Sequence, residues 1–249
     1  MVRLLKGMAA FVLALMAVLG AIVVAFELLG WNVLRGPVSQ IVTATTGRAF
    51  SIQGDLDVDL GLTPRISADK VQLANPSWVD VDQPMLRVRR VEIDVHLPDL
   101  LRGRVVLPRV LLDHPETALV RRADGEASWD FGGEDKSGDT TLPRIRELVV
   151  TEGRLRLDDA VRKIELRAGV SSTNRLDAPL AEQLRVEADG RYNRQPFHLV
   201  ANGGSLFNLL QNDTRYPVAL DVHAGETHLT LDGMVGTGAE GQTLDARLN

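Results

Sequence analysis

The chain has 249 residues, a formal net charge of −5 and no cysteine, which excludes disulfide bridges, thiolate metal sites and cysteine nucleophiles. The acidic balance argues against a nucleic-acid partner, whose phosphates require a concentrated basic face. Aromatic residues make up only 4%, too few for base-stacking platforms or a ring-lined carbohydrate cleft.

The N-terminal region, residues 1–31, is predicted to be a membrane anchor. Residues 7–26 carry no charge, and as a helix they would span about 30 Å, the thickness of a bilayer's hydrocarbon core. Arg3 and Lys6 precede this stretch, so we expect a cytoplasmic N-terminus and export of everything after Trp31. The alternative is a cleaved signal peptide, but the apolar stretch is longer than usual and no Ala-x-Ala site closes it.

Residues 32–47 are predicted to link the anchor to the rest of the chain through a short amphipathic helix. Val38, Ile41 and Val42 have helical spacing, Pro37 suits a first turn and Gly47 suits a helix end. We expect the apolar side of this helix to cap the first strands, although it could instead lie on the bilayer surface.

The remainder of the chain is predicted to be mainly β. Alternating apolar and polar residues begin at Phe50 and recur to the end of the chain, with turn signals between the runs. We expect a long, curved antiparallel sheet in two segments, 48–131 and 142–249, joined by the polar loop 132–141. The alternation continues into the last residues, so we also expect the sheet to continue, in a longer polypeptide or through a partner.

The apolar phase of these strands predicts one shared interior. An antiparallel sheet can leave one face apolar only if that face is covered, either by packed side chains or by a ligand. The residues assigned to this interior are Leu56, Val58, Leu60, Val88, Ile93, Val95, Leu155, Leu157, Leu166, Val186, Leu199, Leu220 and Leu231.

No pattern predicts an enzyme, a cofactor or a metal. Asp55, Asp57 and Asp59 have calcium-loop spacing, but Ile66 stands where the bidentate acid belongs. His223 and His228 would lie on opposite faces of an extended strand, so a shared metal would require a turn at Gly225 that folds one strand back on the other. Catalytic-serine, P-loop and dinucleotide motifs are absent from the sequence.

Arginines cluster in the first strand segment. They could guide anionic lipid headgroups, but we favour a solvated face on which nearby Glu92, Asp94 and Asp99 neutralise them. The arginines concerned are Arg87, Arg89, Arg90, Arg102, Arg104 and Arg109.

Several short stretches, in order and spacing, resemble the AsmA family of Gram-negative proteins anchored in the inner membrane. The resemblance extends over nearly the whole chain after residue 31, with Ser128 standing where the family tends to have Asn. The stretches are Thr46-Gly47-Arg48, Ile52-Gln53-Gly54, Leu73 to Trp78 (LANPSW), Leu100 to Gly103 (LLRG), His114-Pro115, Asp124-Gly125, Trp129-Asp130-Phe131, Tyr216-Pro217-Val218 and Thr230 to Gly233 (TLDG).

The resemblance implies a single-pass inner-membrane protein with most of its chain in the periplasm. It further implies an apolar β-groove, as in bridge-like lipid transfer proteins, that conducts phospholipid between inner and outer membrane without enzymatic activity. Many members are several hundred residues longer, so this chain would form one segment of a bridge. A protein partner in the periplasm or outer membrane would then be expected. The alternative is an assembly factor for outer-membrane proteins, with a closed β core that binds no lipid.

Overall fold

The computed structural model describes residues 30–61, 63–79, 83–100, 102, 104, 106–131, 144–145, 147–172, 183–204, 216–238 and 241–248. These residues form a mainly β protein with few helices. The predicted anchor stretch 7–26 and the predicted loop 132–141 lie outside them. None of the helices built by the described residues has the length and apolar character needed to cross a bilayer.

Within the described ranges, helical structure occurs in two places. A 3-10 turn, Trp31–Leu34, leads directly into helix α1, Arg35–Thr46, and a single helical turn, α2, covers Leu97–Leu100. Gly47 ends α1 in the left-handed conformation with φ 65°, a role that glycine fills at low cost.

The strands are between 2 and 12 residues long. In chain order they are β1 Phe50–Ile52, β2 Leu56–Asp59, β3 Arg65–Leu73, β4 Leu86–Asp94, β5 Val106–Leu107, β6 Arg109–Asp113, β7 Glu116–Arg121, β8 Arg144–Ile145, β9 Leu148–Thr151, β10 Gly153–Asp159, β11 Ile164–Ser172, β12 Leu184–Tyr192, β13 Gln195–Gly203, β14 Tyr216–Ala224, β15 Thr227–Gly238 and β16 Gly241–Leu248.

Fourteen of these strands form one large open sheet. Its main path runs β1-β3-β4-β7-β10-β11-β12-β13-β14-β15-β16, with β2 beside β3 and with β6 between β4 and β9. Strands β5 and β8 form a separate two-stranded pair. From β10 onward each strand pairs antiparallel with the next in sequence, so this half of the sheet is a meander.

The expectation of a purely antiparallel sheet is wrong at its centre. Strand β10 runs parallel to β7, β9 runs parallel to β6, and the small pair β5 and β8 is also parallel. Parallel neighbours require a crossover of a dozen or more residues. The chain between the end of β7 at Arg121 and the start of β10 at Gly153 is long enough to supply one, so strands that would otherwise form a hairpin run in the same direction.

A line of residues across the sheet, here called the kink row, comprises Lys70, Arg89, His114 and Glu152. Lys70, His114 and Glu152 have positive φ values of 53°, 49° and 50°, outside the extended region. Their positions follow one another in the register of β3, β4, β6 with β7, and β9 with β10.

The kink row reverses the alternation of apolar residues along each strand that it crosses. Ala68 and Val71 lie three positions apart in β3, yet both pack with Leu56 in one buried cluster, which Ile66 and Val91 also contact. A regular strand would place Ala68 and Val71 on opposite faces. The kinks therefore keep a single apolar face on both sides of the row.

Candidate functional site

The apolar face of the large sheet is the candidate site, because apolar side chains follow one another across it from strand to strand. One continuous cross-sheet row illustrates this. Through successive strand pairs it joins Phe50, Leu73, Leu86, Thr117, Leu155, Ala168, Ala188, Leu199, Val222 and Leu229. Paired residues in neighbouring strands project to the same face, so nine of these ten side chains present hydrocarbon to one side.

The face is packed most tightly near its N-terminal end. Val88 is fully buried, and Leu56, Ala68 and Val71 form a buried cluster against which Leu34 of the 3-10 turn packs. Asn32 ties this turn to the sheet, because its side-chain oxygen accepts a 2.8 Å hydrogen bond from the backbone nitrogen of Leu56. The segment before the sheet therefore covers the first strands.

Helix α1 contributes less to this cover than its spacing predicts. Thr43 accepts a 3.0 Å hydrogen bond from the backbone nitrogen of Phe50, and Val38 and Val42 are half-buried. Ile41, however, is 66% exposed. Only part of the predicted apolar side therefore faces the protein.

The second half of the apolar face is more open. In β10 to β15 most of the large aliphatic side chains are half-buried, although Leu184 is buried and Leu229 is 39% exposed. The small residues Ala168 and Ala188 between them are buried. The half-buried group comprises Leu155, Leu157, Leu166, Val186, Leu199, Leu220 and Leu231. No second sheet packs on this face among the described residues, whose strands all belong to the large sheet or to the pair β5 and β8.

The structure brings most of the predicted interior residues to strand positions in this phase. Leu56 and Val88 are buried, and Val58 and Ile93 are half-buried beside Ile66 in paired strands. Val95 follows the end of β4 and is half-buried, whereas Leu60 follows β2 and is 43% exposed. Ala168 and Ala188 were not among the predicted residues, although their alternation with Leu166 and Val186 could have identified them.

The opposite face is polar, and five of the six clustered arginines have an acidic partner. Arg89 donates a 2.6 Å hydrogen bond to Asp113, and Arg104 donates one of the same length to Asp99. The remaining pairs are Arg87 with Glu116, Arg90 with Asp69 and Glu92, and Arg109 with Glu147. These contacts agree with a neutralised, solvated face and not with a basic rim.

Two of the acidic partners have shifted acidities. The hydrogen bond from Arg89 lowers the pKa of the Asp113 carboxyl below its ordinary value, against an opposing effect of burial. The pKa of Asp99 is lowered chiefly by its hydrogen bond with His96. Both carboxylates therefore stay ionised to a lower pH than an ordinary aspartate.

A cleft of about 670 Å³ also opens on the polar face beside β7, β10, β11 and β12. Its charged side chains include both signs, and Arg156 and Arg167 lie directly opposite one another in neighbouring strands. The charged residues around it are Arg87, Glu116, Arg154, Arg156, Arg167, Glu187 and Asp189. This cleft lies on the other side of the sheet from the apolar face.

Sequence comparisons relate the chain to known proteins. The sequence profile of the AsmA family matches residues 1–165. The chain is 28% identical over 255 aligned positions to the AsmA family protein YhjG of Escherichia coli strain K12, an alignment that covers 88% of this chain. It covers only 37% of the length of that relative. No solved structure matches the chain. Since the profile spans 165 of the 249 residues, the chain belongs to the AsmA family.

Proposed function

We propose that this protein binds phospholipid and conducts it between the inner and outer membranes along the apolar face of its sheet. Membership of the AsmA family suggests a role in envelope biogenesis or lipid transport. The proposal adds the ligand, the surface that holds it and the route. In this proposal residues 7–26 anchor the chain in the inner membrane of a Gram-negative cell and the sheet lies in the periplasm.

The observation that carries the proposal is the half-buried aliphatic surface of β10 to β15. Exposure of large aliphatic side chains on a broad open face to water is unfavourable. A contiguous apolar patch of this kind therefore marks an interaction surface. Acyl chains would remove this surface from water without requiring hydrogen bonds that the side chains cannot make. Binding would therefore be driven by burial of hydrocarbon and would be tolerant of acyl-chain structure.

The dimensions of the face suit lipid tails. The cross-sheet row spans ten strands, and nine inter-strand spacings of about 4.8 Å amount to roughly 43 Å. One leaflet of a bilayer provides about 15 Å of hydrocarbon, half of the roughly 30 Å core. The face is thus long enough to hold several acyl chains in succession, as a conduit requires.

The chain spans only 37% of the length of its relative YhjG, so we assign it one section of a conduit. Delivery to the outer membrane would then depend on further β structure or on a protein partner in the periplasm or outer membrane. No step in this role requires bond formation or cleavage, and we propose no enzymatic activity.

The proposal can be tested by lipid analysis of the full chain purified in a mild detergent. We expect phospholipid in near-stoichiometric amount by mass spectrometry. Val186→Asp places a charge on the half-buried apolar face and should remove most of this lipid, because a carboxylate is poorly tolerated beside hydrocarbon.

The matched control is Ser171→Asp. Ser171 lies in the neighbouring strand on the exposed polar face, directly opposite Arg185, so the same charge should leave lipid content unchanged. Equal lipid content in both variants would refute the assigned face. A lipid-free wild type, together with unfolding of Val186→Asp, would instead support an assembly factor with a closed core.

A further inference from the structure

The polar face carries two histidines that a tight turn brings together. Gly225 has φ 60° at the first central position of the two-residue turn between β14 and β15, the position that glycine fills in a type II′ hairpin. His223 and His228 are therefore directly opposite one another in the register. A shared metal was expected to require a turn at Gly225, and the structure has this turn.

The third member of the group is Asp221, two residues before His223 on the same face. Its Oδ1 atom lies 2.9 Å from Nε2 of His223 and 3.1 Å from Nε2 of His228. The two imidazole rings stack with their centroids 3.9 Å apart and their planes 13° from parallel. Three potential ligand atoms thus converge on one small volume, within 4.8 Å of each other.

We propose that Asp221, His223 and His228 form a binding site for a divalent transition-metal ion of the Zn²⁺ type. Zn²⁺ binds imidazole nitrogen and carboxylate oxygen at about 2.0 to 2.2 Å, which places tetrahedral ligands about 3.3 Å apart. The observed 2.9 and 3.1 Å separations need only a few tenths of an ångström of opening to reach that value. Each imidazole would keep its single proton on Nδ1 and present Nε2 to the ion.

The ligand set decides which metals fit. Two imidazoles with one carboxylate suit Zn²⁺, Cu²⁺ and Ni²⁺, whereas Mg²⁺ and Ca²⁺ prefer all-oxygen sites. The side chains of His223 and His228 are 53% and 51% exposed, so an ion bound here remains open to water or to a fourth ligand. A bound ion would also connect β14 to β15 through its ligands and raise the stability of this hairpin.

The site is separate from the apolar face. His223 and His228 belong to a cross-sheet row with His198 and Asp189, which projects to the polar side. Val222 and Leu229, their neighbours in sequence, belong to the apolar row. Metal binding and lipid binding can therefore succeed or fail independently of each other.

The test is calorimetric titration of the full chain in detergent, purified without a histidine tag. We expect one Zn²⁺ site, no comparable site for Mg²⁺, and a loss of affinity of about tenfold or more in His223→Gln and His228→Gln. The control is His96→Gln, which removes a histidine paired with a single acid, Asp99, away from the cluster and should leave the titration unchanged.

A spectroscopic measurement keeps the result independent of stability. With one equivalent of Cu²⁺, paramagnetic resonance of the wild type should show coupling to two imidazole nitrogens, and each single variant should show one fewer. Equal Zn²⁺ affinity in the wild type and in a variant that lacks both His223 and His228 would overturn the proposal. So would Cu²⁺ coupling that His96→Gln alters and His228→Gln does not.

Discussion

Val88 offers the sharpest test of the packed end of the apolar face. Its side chain is completely buried, and its partner in β3 is Val71, a member of the buried cluster. Val88→Ala removes two methyl groups, at about 0.8 kcal/mol each in transfer free energy. A residual cavity of roughly 40 Å³ adds about 1 kcal/mol. We therefore expect the free energy of unfolding to fall by about 2.5 kcal/mol.

The assay is urea denaturation of the full chain in detergent, followed by far-ultraviolet circular dichroism. Val161→Ala is the control, since Val161 is 52% exposed and its truncation should cost less than about 0.5 kcal/mol. In lipid-free protein, Leu220→Ala, on the half-buried part of the face, should lower the free energy of unfolding less than Val88→Ala does. The destabilisation by Leu220→Ala should increase once lipid is added, because bound lipid stabilises the folded wild type. Equal effects of Val88→Ala and Val161→Ala would refute the description of a packed end.

Three further predictions concern positions within the sheet. Gly190→Ala should lower the free energy of unfolding by about 2 to 3 kcal/mol, because its Cβ would contact the Glu165 carbonyl and lie 2.7 Å from the Phe197 ring. Gly169→Ala is the control and should be tolerated, since the nearest atom to its Cβ is 3.9 Å away. Similar denaturation midpoints for the two variants would contradict this prediction. Asp113→Asn should destabilise at pH 7. Because the pKa of Asp113 is lowered in the folded protein, its contribution to stability is present above the unfolded-state pKa of about 3.9 and is lost as the pH falls below that value. The difference in free energy of unfolding between variant and wild type should therefore disappear in acid. A difference that does not depend on pH would be inconsistent with this reasoning. Lys70→Gly should be neutral or stabilising by up to about 1 kcal/mol, because glycine adopts φ 53° without strain. Lys70→Val should destabilise the protein, because a β-branched residue is strained at positive φ. A higher thermal unfolding midpoint for Lys70→Val than for Lys70→Gly would argue against the kink row.

The strand phases could be predicted because period-two alternation is a local property of the chain. Leu155, Leu157 and Leu166 alternate with charged residues, and their face follows directly. The kink at Lys70 was not predictable, because lysine carries no preference for positive φ. The sequence shows only that the apolar phase shifts from Val88 to Val91 across two consecutive arginines, which does not reveal the backbone conformation of Lys70.

The parallel centre of the sheet was beyond the sequence patterns for a different reason. Alternation does not reveal strand direction, and the turn at Asp124 and Gly125 suggests a simple hairpin. The cluster of Asp221, His223 and His228 shows the reverse situation. Its three side chains and its turn glycine lie close together in the sequence, so the missing information was that Gly225 reverses the chain.

The meander from β10 to β16 has a consequence for how the protein folds and how it can change. Each of these strands pairs with its neighbour in sequence, so contacts are local and assembly can proceed as zippering, one hairpin after another. Such an array behaves almost one-dimensionally, with stability passed between nearest neighbours. Duplication or deletion of two successive strands preserves strand direction and the identity of the apolar side. The architecture can therefore alter its reach in steps of about 10 Å without redesign of the remaining strands.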